Sequence, residues 1–509
     1  MKTSKIMDAG AAAELVPDDA TVAITGAGGG LVEPEALMAA IEARFHASGS
    51  PHALTIVHAL GIGDRERRGL NHFAFEGMTR RVIGGHWVWS PAMQRLAREE
   101  KIEAYVLPGG VISQLMREIG AGRPGLFTHV GLGTFVDPRL DGGRMNASAR
   151  DELVEVVTFD GRELLRYKPF PVDIAIVRGS FADPEGNVSL DQEGANLDAW
   201  AVALAAKNSG GRVLVQVREM VAPGRLAARS IRIPSALVDA VVVVPEQRQS
   251  YAVDYDPSLS GEKRHALPDD TEAEFSSRQA IARRAAAELW DGAVINFGFG
   301  IPDAVAKLIA ARGEVDRYYQ TIEHGTYGGA LLDGVLFGFA RNASAMLDSP
   351  SQFDFYGGGG LDIAFLGMGE LDGAGNVNAS KLGGDTVGPG GFIDIAQNAR
   401  KVVFCGTFEA KGAKIATGDG RLTVKRPGEV RKLVDEVAQI TFSGAQALKG
   451  GQEAIYVTER AVFRLRPDGL VLAEIAPGVD LERDVLGRMA FRPLMPAEPE
   501  IMAADLFTA

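Results

Sequence analysis

Thr321-Ile-Glu-His-Gly-Thr-Tyr-Gly-Gly329 places one carboxylate, Glu323, between two β-branched residues and a run of glycines. Thr321 and Ile322 favour a strand. Gly325, Gly328 and Gly329 permit backbone conformations closed to other residues and let a ligand approach the main chain. The chemistry open to a carboxylate at the tip of such a turn is nucleophilic attack on an acyl carbon. Read alone, the turn is more often a solvated loop. Gly26-Ala-Gly-Gly-Gly30 joins a strand, Thr21–Thr25, to a helix opened by Glu33-Pro34 and running through Phe45. A glycine loop between strand and helix offers N–H groups to an anion. Its dinucleotide-binding reading wants a glycine where Val32 stands and a Tyr followed four residues on by Lys, which none of the nine Tyr has.

The elements that position these residues read as α/β. Near-continuous apolar runs at Val172–Val177, Val213–Val217 and Ala240–Val244 have the pattern of strands buried on both faces. They alternate with helical stretches such as Asp198–Lys207, as in a parallel sheet covered by helices. Further strands are expected at Leu54–Val57, Arg80–Ile83 and Tyr105–Leu107, and helices at Pro91–Glu100 and Val111–Ala121. Residues 1–20 read as an amphipathic helix, and the polar stretch Asp254–Asp270 as an interdomain connection. After it the opening pattern returns: a helix over Ser277–Trp290, the strand Ala293–Phe297, the turn Gly298-Phe-Gly300, and a helix led by Pro302. The halves therefore read as a diverged duplication, with domains at 1–265 and 266–509 and a site expected at their junction. The tail reads as a meander of strands with a final helix over Arg483–Arg488.

With 509 residues, 46% hydrophobic and 23% charged, the composition is that of a soluble globular protein. A net charge of −13 argues against nucleic acid or anionic membrane as the main partner. The single cysteine, Cys405, lies in a strand-like run and excludes an intramolecular disulfide; a cytoplasmic setting is expected. No run long enough to span a membrane and no secretory h-region stand out, and the eight His lack metal-ligand spacing, so no metal is expected.

Nearly the whole chain resembles a family I coenzyme A transferase of the single-chain acetate/propionate type, in which acetoacetyl-CoA transferase-like halves are fused. The motifs that carry the resemblance in the first half are Gly131-Leu-Gly-Thr-Phe-Val-Asp-Pro-Arg139, Asp183-Pro-Glu-Gly-Asn-Val188 and Ala205-Ala-Lys-Asn-Ser-Gly-Gly211. In the second half they are Asn296-Phe-Gly-Phe-Gly-Ile-Pro302, Glu323-His-Gly325, Gln352-Phe-Asp-Phe-Tyr356, Gly390-Gly-Phe392 and Val457-Thr-Glu-Arg-Ala-Val-Phe463. The resemblance implies two similarly built domains with mostly parallel sheets and a homodimer or homotetramer. It implies transfer of CoA from a short-chain acyl-CoA to a carboxylate, with CoA as substrate and no permanent cofactor. It makes Glu323 the nucleophile, Gly391 and Phe392 donors to the oxyanion, and Asn296 and Gly109 neighbours of the acyl site. Gly28, Gly29, Gly358, Gly359 and Gly390 then correspond to CoA contacts.

Three departures stand out. The family's Leu-Pro-Gln-Gly run is Leu107-Pro-Gly-Gly110 here, the residue after the catalytic Glu is His324, and the Asp that commonly opens the later glycine run is Gly357. Together they point to an enlarged or reshaped acyl pocket. Two other functions fit the same residues: an acyl-CoA hydrolase and a non-catalytic CoA-binding paralogue.

Overall fold

The computed structural model describes residues 5–266 and 275–508. The chain forms two compact units. Unit 1 gathers Met1–His265 with Ile322–Asp354 and Gly383–Asp394; unit 2 gathers Ala266–Thr321, Phe355–Leu382 and Ile395–Ala509. Glu323 thus belongs to the unit built mainly from the first half of the chain.

The central sheet of unit 1 runs Ile6–Met7, Ala240–Val243, Arg212–Met220, Ile174–Ala182, Thr21–Ile24, Leu54–His58, Thr79–Gly84, Glu103–Val106, and every pairing along this path is parallel. Ile174, Ala175, Ile176, Val177 and Val213, Leu214, Val215 are all buried, as strands covered on both faces must be. The helix Gly109–Gly120 packs on the helix Ala199–Asn208, so closely that a Cβ at Gly120 would stand 2.7 Å from Leu204. In unit 2 the strands Tyr319–Ile322, Val294–Phe297, Ile363–Gly367, Lys401–Cys405 and Glu453–Val457 are parallel. Ala461–Arg466 and Gly469–Ile475 continue this sheet antiparallel, as the expected meander.

Both units share one wiring. In each, the first strand of a five-strand set lies between the second on one side and the third, fourth and fifth in succession on the other. In unit 1 the set is Thr21–Ile24, Leu54–His58, Ile174–Ala182, Arg212–Met220, Ala240–Val243. In unit 2 it is Val294–Phe297, Tyr319–Ile322, Ile363–Gly367, Lys401–Cys405, Glu453–Val457. The likeness reaches single turns. Asp183 Oδ1 accepts the N–H groups of Glu185 and Asn187, and Asp372 Oδ1 those of Ala374 and Asn376. Each Asp also accepts the side-chain amide of the Asn four residues on, at 2.8 and 3.0 Å. Each of these Asn then accepts a backbone N–H from a later segment, Ser235 in unit 1 and Gly444 in unit 2.

Several expectations differ from the structure. In place of a helix over 1–20, Ile6–Met7 form a strand and only Ala9–Ala13 a helix; residues 1–4 lie outside the described residues. A two-residue edge strand paired to Ala240–Val243 outcompetes local helix propensity there. Of the polar connection, 267–270 lie outside the described residues, while Ser258 and Leu259 are buried, and Ser258 C=O accepts Asn342 N–H. The final helix is two short turns, Leu481–Val485 and Leu486–Arg488. An antiparallel sheet of Leu126–Thr128, Arg162–Tyr167 and Val154–Phe159 had no sequence-level expectation, because charged residues break the apolar pattern in its hairpin.

Candidate active site

Glu323 follows directly on the strand Tyr319–Ile322. Gly325 N–H donates to Ile322 C=O at 2.9 Å, closing a tight turn with Glu323 and His324 at its centre. Gly325 has φ +97°, and a Cβ there would lie 2.4 Å from Leu347 C=O. Both facts demand glycine. Leu347 N–H donates back to Gly325 C=O at 2.8 Å. His324 is buried under the turn, with Nδ1 3.1 Å from Gly338 C=O. Antiparallel pairs Thr326–Tyr327 with Ala345–Met346 and Ala330–Leu331 with Ala340–Arg341 complete the frame that carries Glu323.

A second turn in unit 1, Gly388–Asp394, brings together most of the expected oxyanion residues. Gly390 N–H donates to Gly85 C=O and Gly109 N–H to Gly390 C=O, both at 2.7 Å. Phe392 N–H donates to Pro389 C=O at 3.0 Å, so this amide is spent on the turn. Of the two expected donors, Gly391 alone keeps its N–H outside that bond. Gly109 also corrects an expectation. A Cβ there would meet Ala59 C=O at 2.8 Å and Gly390 C and O at 3.1 Å. The side chain absent from this position therefore leaves no room behind, because two backbone segments occupy it. At Gly357, by contrast, a Cβ would have nothing within 4 Å.

Sequence reasoning overlooked Asp394. Buried, it accepts Gly110 N–H and Val111 N–H at 3.0 and 3.1 Å, one on each carboxyl oxygen, and so caps the helix Gly109–Gly120. The available signal was an acidic residue in the first turn after Gly-Pro-Gly-Gly, which ordinarily serves its own helix. Burial pushes the Asp394 carboxyl up to about 8, and the charge of Glu323 adds to the rise. His86 lies beside Gly388 and Gly390, and His58 beside Gly84. Burial holds both imidazoles down to about 4, hence neutral at neutral pH. Burial likewise lifts Asp198, whose carboxylate accepts Ser113 Oγ–H at 3.3 Å, to about 6. With these groups neutral and water excluded, backbone dipoles act on a developing charge with little screening.

Gly28 and Gly29 are packed against protein. A Cβ at Gly28 would stand 2.1 Å from the Trp89 ring and one at Gly29 1.9 Å from Val335 C=O, while Gly29 N–H donates to Gly63 C=O. Arg178 pins the same loop, donating to Gly30 C=O and Glu33 C=O from a buried ion pair with Glu193. In unit 2, Asn296 is buried and its amide donates to Thr321 C=O and the Tyr356 hydroxyl, both at 3.3 Å. Gly358 is exposed and Gly359 half-buried at φ +90°, each with open space where a Cβ would project. Among the described residues no group of His, Cys, Asp and Glu is placed to hold a metal ion, and no helix is long and apolar enough to cross a membrane.

A doubly wound α/β protein with a carboxylate on a glycine turn is the class this fold and site define. The family model described as coenzyme A transferase matches residues 6–244. The chain is 42% identical over 505 residues to the acetate CoA-transferase YdiF of Escherichia coli strain K12, covering 99% of this chain and 95% of that one. It is 43% identical over 514 residues to the caffeate CoA-transferase of Acetobacterium woodii, covering 99% and 98%. The crystal structure of the acyl-CoA transferase YdiF of E. coli O157:H7 as a thioester complex with CoA superposes with a TM-score of 0.94 at 40% identity, covering 99% and 96%. The chain belongs to the coenzyme A transferase family, in its single-chain form.

Proposed function

We propose that the protein moves CoA from a short-chain acyl-CoA to a carboxylate acceptor by a ping-pong sequence carried on Glu323. A Glu323 carboxylate oxygen attacks the thioester carbonyl; the C–S bond breaks and CoA leaves as thiolate, with a mixed anhydride left on Glu323. The thiolate attacks the glutamyl carbonyl, expels the donor's carboxylate and forms a Glu323–CoA thioester. The acceptor carboxylate then repeats these steps in reverse order and leaves as the new acyl-CoA, returning Glu323 to its carboxylate. Each tetrahedral step places charge on an oxygen, and Gly391 N–H is the donor we assign to it, a contribution of about 3 kcal/mol. Gly358, Gly359 and Gly390 remain our assignments for CoA contact, and Asn296 for the support of the Glu323 strand.

The observation that carries this reading is Glu323 held at the centre of a turn that only glycine at 325 can close. The relatives named for acetate and caffeate, and the CoA thioester complex of the E. coli transferase, support it. The test is intact-protein mass after incubation with acetyl-CoA and no acceptor. The expected result is a CoA-sized adduct that disappears on adding acetate and is absent from Glu323→Ala. CoA release that continues without any carboxylate would instead identify a hydrolase. The reading also has the enzyme working as a homo-oligomer, which light scattering checks.

A further inference from the structure

Asp394 is a buried carboxyl that none of the steps above uses. Its two oxygens receive N–H groups from Gly110 and Val111, far away in sequence, while its own segment carries Gly390 and Gly391. A Cβ at Gly110 would stand 2.6 Å from Asp394 Oδ1 and 2.4 Å from the Phe353 ring, so the carboxyl sits in a packed slot without room for rearrangement. The ionisable groups that face it are Glu323 and Tyr167. The Tyr167 hydroxyl is buried, donates to Val130 C=O at 2.7 Å and is held far above its usual range, so it stays neutral. Glu323 is the one facing group whose charge changes during catalysis.

We propose that Asp394 is a positioning residue coupled to the charge of Glu323: it ties the helix Gly109–Gly120 to the turn that presents Gly391, and it gives up its proton when Glu323 is acylated. The proposal rests on Glu323 being the acyl carrier. As a carboxylate, Glu323 repels a charge on Asp394, which burial already disfavours. As an anhydride or thioester, Glu323 is neutral and the repulsion is gone. Gly110 N–H and Val111 N–H, with the positive end of their helix, then receive the Asp394 carboxylate. Exchange of acetyl-CoA for acetate and enzyme thioester consumes and releases no proton by itself, so any proton that appears comes from a protein group. By linkage, a carboxyl that becomes more acidic on acylation makes the acylated form more favourable as pH rises through its titration. Each unit of that change is about a tenfold gain in the thioester equilibrium.

The experiment uses the wild-type enzyme, acetyl-CoA without acceptor, weak buffer and a pH indicator, with adduct mass read in parallel. Up to one proton per thioester is expected to appear near pH 8 and to vanish near pH 6, where the carboxyl keeps its proton in both forms. The thioester fraction at fixed acetyl-CoA and acetate should rise from about pH 6 to about pH 9. Asp394→Asn should still form the adduct, release no proton and show a flat thioester fraction, with a lowered kcat; a purely structural Asp394 would lower stability and leave the pH dependence in place. A wild-type adduct formed without proton release, at a pH-independent level, overturns the proposal. No adduct on the wild type overturns the Glu323 reading beneath it and the proposal with it.

Discussion

Gly109→Ala sets helix propensity against packing. In a helix interior the change favours folding by about 0.5–1 kcal/mol, since Ala restricts the unfolded chain and fits helical dihedrals. Gly109 opens the helix Gly109–Gly120. Its new Cβ would lie 2.8 Å from Ala59 C=O and 3.1 Å from Gly390 C and O, all backbone atoms held by their own hydrogen bonds. Overpacking of this kind costs about 1–3 kcal/mol. The displacement also stretches the 2.7 Å bond from Gly109 N–H to Gly390 C=O, a further loss of about 1 kcal/mol. Packing wins, and the net loss is about 1–3 kcal/mol. Because Gly390 must give way, the neighbouring Gly391 N–H moves too, and a shift approaching 1 Å lowers turnover by about 10²-fold. Urea titration and steady-state kinetics with acetyl-CoA and a carboxylate read the two effects. Gly109→Gln, which installs the side chain usual in the family, is expected to do worse on both. A Gly109→Ala enzyme with stability within about 0.5 kcal/mol of wild type and unchanged turnover would refute the argument, showing that the turn yields without cost.

Gly325→Ala combines φ +97° with a 2.4 Å approach to Leu347 C=O; activity should fall at least about 10²-fold with a stability loss of about 2–4 kcal/mol, measured by the same two assays. Arg460, fully buried in unit 2, pairs with Glu409 and Glu459; Arg460→Met leaves those carboxylates uncompensated and should cost about 3–5 kcal/mol by chemical denaturation. His58, held down to about 4 from 6.5, makes stability depend on pH. A depressed imidazole contributes fully above the unfolded value and loses its contribution as pH falls through the folded one. Stability should therefore drop from about pH 6.5 towards about pH 4, by up to about 3 kcal/mol for a fully buried group, and a stable His58→Asn enzyme should show a shallower acid limb in thermal melts.

Strands and turns that answer to local rules were legible in advance. The runs at Val213–Val217 and Ala240–Val244 are strands because continuous apolar sequence must be covered on both faces. The repeated strand–glycine–helix pattern foreshadowed the shared wiring, for the same reason twice. Two-residue strands such as Ile6–Met7 were not legible, since their stability comes from the strand they join. Asp394 was visible as an acidic residue but not as the cap of a helix whose first residues lie far back in the chain.

The sequence by itself determined the reaction class, because Glu323 between β-branched residues and glycine, in the company of the family's motifs, is local information. Tertiary structure alone decided what surrounds that carboxylate. Gly109 reads as a missing side chain and proves to be a place where backbone must pass; Phe392 reads as a donor and proves to have its N–H engaged. Such outcomes depend on which distant segments fill a space or accept a hydrogen bond, and no stretch of chain carries that information about its neighbours.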